Sequence, residues 1–127
     1  MPVITTLYAG ILGLISIALA AKAGALRGRT KISIGDGGNQ ELLLAIRRHG
    51  NFTEYVPLSL ILIALLEMNG VQALAVHALG ATLVVSRVAH AVGLKADTVA
   101  GAGRAIGAGG SVLVIAVASI WAIVTFF

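Results

Sequence analysis

The stretch LLLAIRRHGNFTEYVPLSLILIALL, residues 42–66, is an apolar segment interrupted by a short cluster of charged and polar side chains. It is long enough to cross a bilayer as a helix, for which about 20 mainly apolar residues suffice. Three more apolar segments occupy residues 3–21, 71–92 and about 105–127. Lipid satisfies no backbone hydrogen bonds, and these segments lack the alternating period of barrel strands. We therefore predict an all-α, integral membrane four-helix bundle.

The composition supports a membrane location for the whole chain. Of its 127 residues 58% are hydrophobic and only 11% are charged, and the mean hydropathy is +1.00, which is unlike an ordinary soluble domain. We predict one transmembrane domain over residues 1–127, with helices at about 3–26, 40–67, 71–94 and 104–127. The absence of cysteine excludes disulfides, a cysteine metal site and a cysteine nucleophile.

The basic residues are concentrated in two of the three predicted connections. The link between the second and third helices carries only Glu67, whereas the first and third links hold most of the positive charge, namely Lys22, Arg27, Arg29, Lys31, Lys95 and Arg104. The positive-inside rule then predicts that both basic loops are cytoplasmic and that both termini face outward. This placement accounts for the net charge of +4 without nucleic acid, which we do not expect as a partner.

Several residues outside the polar cluster predict how the helices begin and pack. Asn39 or Gln40 is expected to start the second helix. Gly103, Gly107 and Ser111 recur every fourth residue, a small-residue stripe that lets helix backbones approach closely in membranes. His77 is a single histidine on an apolar face, where we expect a hydrogen bond between helices.

The polar cluster of the second helix lies on one face. Arg47, Asn51 and Glu54 follow at i, i+4 and i+7, and Arg48, Asn51 and Tyr55 form an overlapping set. Ionisable groups at this depth normally face the bundle interior or a wet cavity. Glu54 either neutralises an arginine or contacts a ligand directly. Because one carboxylate cannot balance two arginines, an anionic ligand would complete the site.

The third helix adds Arg87 and His90, also in the inner half of the membrane. His90 either hydrogen-bonds within the core or contacts a ligand. No second histidine or carboxylate has metal-ligand spacing with it, so no metal site is predicted. These residues predict a cationic cavity that faces the cytoplasm and suits a polyanionic, water-soluble ligand meeting an apolar one. It would be built from Arg47, Arg48, Asn51, Arg87, His90 and Arg104.

The segments AIRRHGNFTEYVPL, residues 45–58, and SRVAHAVGL, residues 86–94, resemble the MAPEG family, the membrane-associated proteins in eicosanoid and glutathione metabolism. The family spacing of arginine, asparagine, glutamate and proline is matched by Arg47, Asn51, Glu54 and Pro57, and Tyr55 is also typical. The likeness covers nearly the whole chain and is greatest to the small bacterial branch. It implies a homotrimer in the bacterial inner membrane that binds glutathione between subunits near the cytoplasmic face.

The resemblance also implies an activity and individual roles. Glutathione would be a cosubstrate added to lipophilic electrophiles or used to reduce lipid hydroperoxides. Arg47 and Arg87 would hold its carboxylates, Asn51 would hydrogen-bond, and Glu54 would pair with its amine or an arginine. Arg104 would be the catalytic residue that stabilises the thiolate. The remaining predicted contacts are Arg48, Tyr55 and His90, and the family spacing favours Arg47 over Arg48 on the ligand side.

One departure from the family keeps a second interpretation open. Several members have a tyrosine four residues after the position of His90, where this chain has Leu94. The alternative is a non-catalytic membrane binding or scaffold protein with a cationic pocket for a lipid headgroup or small anion. A transporter is less favoured, because the outer half of every helix lacks a continuing polar path.

Overall fold

The structure, a computed structural model, describes residues 1–95, 101–125 and 127. It contains four helices, α1 (Val3–Thr30), α2 (Gln40–Met68), α3 (Ala73–Gly93) and α4 (Ala102–Val124). All four are long and apolar enough to cross a membrane, which confirms the predicted all-α membrane fold. Large apolar side chains such as Leu14, Ile61 and Ile120 are exposed on the outside, as lipid contact requires.

The helices pack in sequential order as an up-and-down bundle. Every pair of helices is in contact except α1 and α4 within the described part of the chain. Short links join neighbours that pack together, so successive helices run antiparallel. One end of the bundle, where α1 and α3 end and α2 and α4 begin, is called the basic end here, because it carries the basic residues of the first and third links.

The core has two parts. The larger lies in the middle of the bundle and combines Leu12 of α1 with Phe52 and Ile63 of α2 and with residues of α3 and α4. A smaller cluster at the basic end joins Leu26 of α1 to Leu42 of α2. The two longest helices are thus fixed to each other in the middle of the bundle and at the basic end.

The helix ends differ from the predicted ones mainly at the basic end. α1 continues to Thr30 instead of ending at residue 26, with a polar last turn beyond the apolar segment in which the Thr30 hydroxyl donates to the Leu26 carbonyl at 2.8 Å. Its 28 residues span about 42 Å, against about 30 Å of hydrocarbon. Arg27 donates to the carbonyls of Ile32, Ser33 and Gly35, at 3.0–3.2 Å, and so folds the loop that follows.

The other helix boundaries have local causes. α2 begins where Asn39 Oδ1 accepts the Leu42 N–H at 2.9 Å, a side-chain N-cap, so the expected start is confirmed. α3 begins at Ala73 instead of residue 71, after a turn in which Gly70 has φ +80°. α4 begins at Ala102 and ends at Val124 instead of covering 104–127, and part of that expected end, residue 126, lies outside the described residues.

Two contacts hold the opposite end of the bundle together. Glu67 in the last turn of α2 accepts hydrogen bonds from the Ile4 N–H (2.7 Å), the Thr5 N–H (2.8 Å) and Thr5 Oγ1 (2.6 Å). It therefore caps the first turn of α1, whose own N-cap residue offers no side-chain bond. His77 Nδ1 lies 3.0 Å from Tyr8 Oη, which is the helix-to-helix hydrogen bond expected of this histidine.

Candidate functional site

A cavity of about 240 Å³ lies at the basic end between α2, α3 and α4. Its walls combine cationic, amide and aliphatic side chains, from Gln40, Leu43, Leu44, Arg47, Asn51, His90, Leu94 and Arg104. No aspartate or glutamate is among the described residues of this lining. The cavity is therefore suited to an anionic ligand that also has an apolar part.

The α2 wall is one face of the helix. Gln40, Leu43 or Leu44, Arg47 and Asn51 are three or four residues apart, which places them in a row along the helix axis. The Asn51 side-chain amide donates to the Arg47 carbonyl at 3.2 Å. The Arg47 side chain is exposed and makes no hydrogen bond to any described residue, so its guanidinium is available to a ligand.

Close packing between α3 and α4 forms the opposite wall. A methyl group at Gly107 would overlap the backbone of His90, and one at Gly93 would overlap Gly103 and the Arg104 nitrogen. The predicted small-residue packing is therefore confirmed. Because the two backbones are this close, Arg104 in the first turn of α4 lies beside His90 on the cavity wall.

Arg87 lies behind the cavity wall, with only 2% of its surface exposed. Its Nη2 donates to the Gly107 carbonyl at 2.6 Å and its Nη1 to the Asn51 carbonyl at 3.3 Å. Its Cζ is 5.2 Å from the centre of the Tyr55 ring, within the range of a cation–π interaction. Its Nε has no hydrogen-bond partner among the described residues. Arg87 thus joins α2, α3 and α4 through backbone carbonyls.

Arg48 points to a different place from Arg47. Its Nη2 donates to the Leu94 carbonyl at 2.6 Å, and its buried Nε has no partner among the described residues. One residue along a helix turns a side chain by about 100°, which separates the two neighbours. Arg47 is on the cavity wall, and Arg48 is bound to the end of α3.

The structure thus brings four of the predicted site residues together around one cavity, Arg47, Asn51, His90 and Arg104. Arg48 and Arg87 are not in its lining and donate to backbone carbonyls, and Tyr55 packs against Arg87. Glu54 is exposed on α2 and forms no ion pair with a described residue. Ligand contacts stay predictions for all eight of these residues.

Four lining residues did not enter the sequence-based site, Gln40, Leu43, Leu44 and Leu94. The spacing of Gln40 and Leu44 from Arg47 and Asn51 was a usable signal, because residues three or four apart share a helix face. Leucines in a membrane helix carry no comparable signal, since most of them contact lipid. Within the described ranges, no group of three histidine, aspartate or glutamate residues could hold a metal ion.

Comparison with known proteins identifies the family. A sequence profile described as the MAPEG family matches residues 5–124. The inner membrane protein YecN of Escherichia coli K12 is 37% identical over 90 residues, which cover 71% of this chain and 69% of that protein. YecN of Escherichia coli O6:H1 matches to the same extent.

No solved structure matches the chain. The family profile nevertheless spans all four helices, and the relative is itself an inner membrane protein. The chain therefore belongs to the MAPEG family.

Proposed function

We propose that the chain binds glutathione in the cationic cavity and uses it to conjugate lipophilic electrophiles or to reduce lipid hydroperoxides. The observation that carries this proposal is the meeting of Arg47, His90 and Arg104, from three different helices, around one cavity of a membrane bundle. A soluble anion enters such a site from the water side, and an apolar cosubstrate enters from the bilayer. Family membership supports the same reaction class.

Binding rests first on Arg47 and Asn51. A guanidinium forms two parallel hydrogen bonds with a carboxylate, and the Arg47 side chain is not bonded to any described residue. The Asn51 amide nitrogen is bonded to the Arg47 carbonyl, which leaves its oxygen to accept a peptide N–H of glutathione. Gln40 adds a second amide on the same wall.

The chemistry is assigned to Arg104. A nearby guanidinium lowers the pKa of a thiol and stabilises the thiolate, which is the attacking species. In conjugation, the thiolate sulfur bonds to an electrophilic carbon, and the leaving atom takes the electron pair. In the peroxidase reaction, two glutathione molecules are oxidised to one disulfide while the hydroperoxide is reduced to alcohol and water.

We further propose a homotrimer in the bacterial inner membrane, with the basic end in the cytoplasm. Glu54 is exposed inside α2, and a charge in contact with lipid costs at least a few kcal/mol. A neighbouring subunit that covers this face would remove the cost. It would also bring Glu54 and Tyr55 to an intersubunit glutathione site of the kind that the family resemblance implies.

One observation favours a second function, a non-catalytic binding or scaffold protein. Leu94 lies on the cavity wall beside Leu43 and Leu44, so that this side of the cavity offers no hydroxyl group. A lipid headgroup or small anion could be held there by the arginines without any reaction. Phospholipid retained through purification, without turnover of any electrophile, would support this function.

The deciding experiment is a titration of the detergent-purified protein with glutathione, followed by the ultraviolet absorbance of the thiolate. We expect saturable binding with thiolate formation. Arg47→Ala should weaken binding at least tenfold, which corresponds to about 1.4 kcal/mol, because it removes a charge-assisted pair. Arg104→Ala should retain binding and lose the thiolate signal.

The matched control is Arg29→Ala, which removes an exposed arginine of the basic end that lies outside the cavity lining. It should bind as the unmodified protein does. Absence of binding at millimolar glutathione would overturn the proposal and favour the second function. Unchanged binding in Arg47→Ala would remove Arg47 from the site.

A further inference from the structure

The end of α3 is held by another helix. The last carbonyls of a helix lack partners within it, and α3 ends at Gly93 with Leu94 in an extended conformation, φ −75° and ψ 112°. The Leu94 N–H still donates to His90, but the Leu94 carbonyl has left the helical pattern. Arg48 of α2 donates to this carbonyl at 2.6 Å.

The Arg48 guanidinium is well suited to this contact. A cation near the last turn of a helix interacts favourably with the negative end of its dipole. The side chain is half-buried, and its Nε is buried without a partner among the described residues. Arg48 is therefore packed between helices, in contrast to Arg47, whose side chain is exposed.

The same end of α3 forms part of the cavity. The Leu94 side chain lines it and is only 9% exposed. The preceding residue, Gly93, packs directly on the backbone of Gly103 and Arg104. A shift of the Leu94 carbonyl would therefore move one wall of the cavity and the residue that we assign to the chemistry.

We infer that Arg48 is a positioning residue, which fixes the end of α3 and through it the placement of Leu94 and Arg104 at the cavity. Arg47 and Arg48 thus divide two tasks, ligand contact and wall placement. The consequence for ligand binding rests on the proposed function, whereas the hold on α3 does not.

The test compares Arg48→Met, which keeps an apolar stem without donors, with Arg48→Lys, which keeps a cation and a donor. Hydrogen exchange is followed at the amides of residues 91–94 in the purified protein without ligand. We expect at least fivefold faster exchange there in Arg48→Met, partial recovery in Arg48→Lys, and no change in α1. Arg47→Met is the matched control and should leave this exchange unchanged.

The effect on the cavity is then measured by the thiolate absorbance of added glutathione as a function of pH. In Arg48→Met the pH midpoint of thiolate absorbance should move upward, because stabilisation of the thiolate depends on the placement of Arg104. Unchanged exchange at residues 91–94 in Arg48→Met would overturn the inference, whether or not glutathione binds. Faster exchange with no thiolate signal in any variant would support the hold on α3 and contradict the proposed function alone. Circular dichroism of both variants identifies any general loss of folding.

Discussion

At the scale of single residues, Arg87 has an unusual set of partners for a buried arginine. A buried guanidinium commonly pairs with a carboxylate, and removing one partner of such a pair is costly. Arg87 instead donates to the carbonyls of Gly107 and Asn51 and contacts the Tyr55 ring. Its contribution is to tie three helices together directly behind the cavity.

We expect Arg87→Ala to destabilise the bundle by about 3 kcal/mol, because it removes two charge-assisted hydrogen bonds and leaves a void. Thermal unfolding in detergent, followed by circular dichroism, measures the loss as a lower unfolding temperature. Arg29→Ala removes an exposed arginine and should unfold at the temperature of the unmodified protein. Equal unfolding temperatures for the two variants would show that Arg87 does not hold the helices.

The sequence predicted which residues lie near the cavity better than it predicted where their side chains point. The spacing of Arg47 and Asn51 identified one wall of the cavity, because residues four apart share a helix face. It could not show that Arg48 bonds to Leu94 or Arg87 to Gly107, since both acceptors are backbone carbonyls of other helices. A carbonyl is present at every residue, so sequence alone cannot indicate which one a side chain reaches.

At the scale of elements, the contact between α3 and α4 depends on glycine at particular positions. An added methyl group at Gly107 would meet the backbone of His90, whereas nothing lies within 4 Å of the same position at Gly109. Both glycines belong to α4, so they form a matched pair for a test of close packing.

Gly107→Ala should destabilise the bundle by about 1–3 kcal/mol, as forced overpacking usually does. It should also reduce the thiolate signal with glutathione, because α4 carries Arg104. Gly109→Ala should be neutral or should stabilise by up to about 1 kcal/mol, since alanine favours helix over glycine. Unfolding temperatures of the two variants decide the matter, and a larger loss in Gly109→Ala would contradict the described packing.

A second prediction at this scale concerns the cap that α2 provides for α1. Glu67→Ala removes the acceptor for the Ile4 and Thr5 amides, and loss of an N-cap costs about 1 kcal/mol. We expect a lower unfolding temperature and faster amide exchange confined to the first turn of α1. Gln72→Ala, an exposed residue that makes no side-chain cap, is the control. Unaltered exchange at residues 4–6 in Glu67→Ala would exclude the cap.

At the scale of the whole molecule, the arrangement of charge predicts its orientation. The basic end carries Arg27, Arg29 and Lys95, while the opposite end carries Glu67. Because positive loops are retained on the cytoplasmic side, the cavity would open toward the cytoplasm and both termini would face outward.

The absence of cysteine makes this orientation directly measurable. Ser33→Cys places a thiol in the loop of the basic end, and Asn69→Cys places one in the turn between α2 and α3; both positions are exposed. A membrane-impermeant maleimide applied to intact spheroplasts should label Asn69→Cys alone, and Ser33→Cys only after lysis. The reverse labelling pattern would show that the protein has the opposite orientation in the membrane.

The number and type of helices followed directly from hydropathy, because the membrane leaves few alternatives for a spanning segment. The helix ends followed less well at the basic end, where α1 continues past its apolar segment to Thr30. The exact partners in contacts between distant segments could not be predicted. Thr5 and Glu67 are 62 residues apart, and nothing in the composition of either helix links them.

That last contact has a consequence for how the chain enters the membrane during synthesis. The first turn of α1 is made early, yet its cap is supplied by the last turn of α2. A nascent chain that stops before Glu67 carries an α1 whose leading amides have no side-chain cap. The start of α1 should therefore reach its final stability only after the whole of α2 has been made, so that the two helices become stable together as a hairpin.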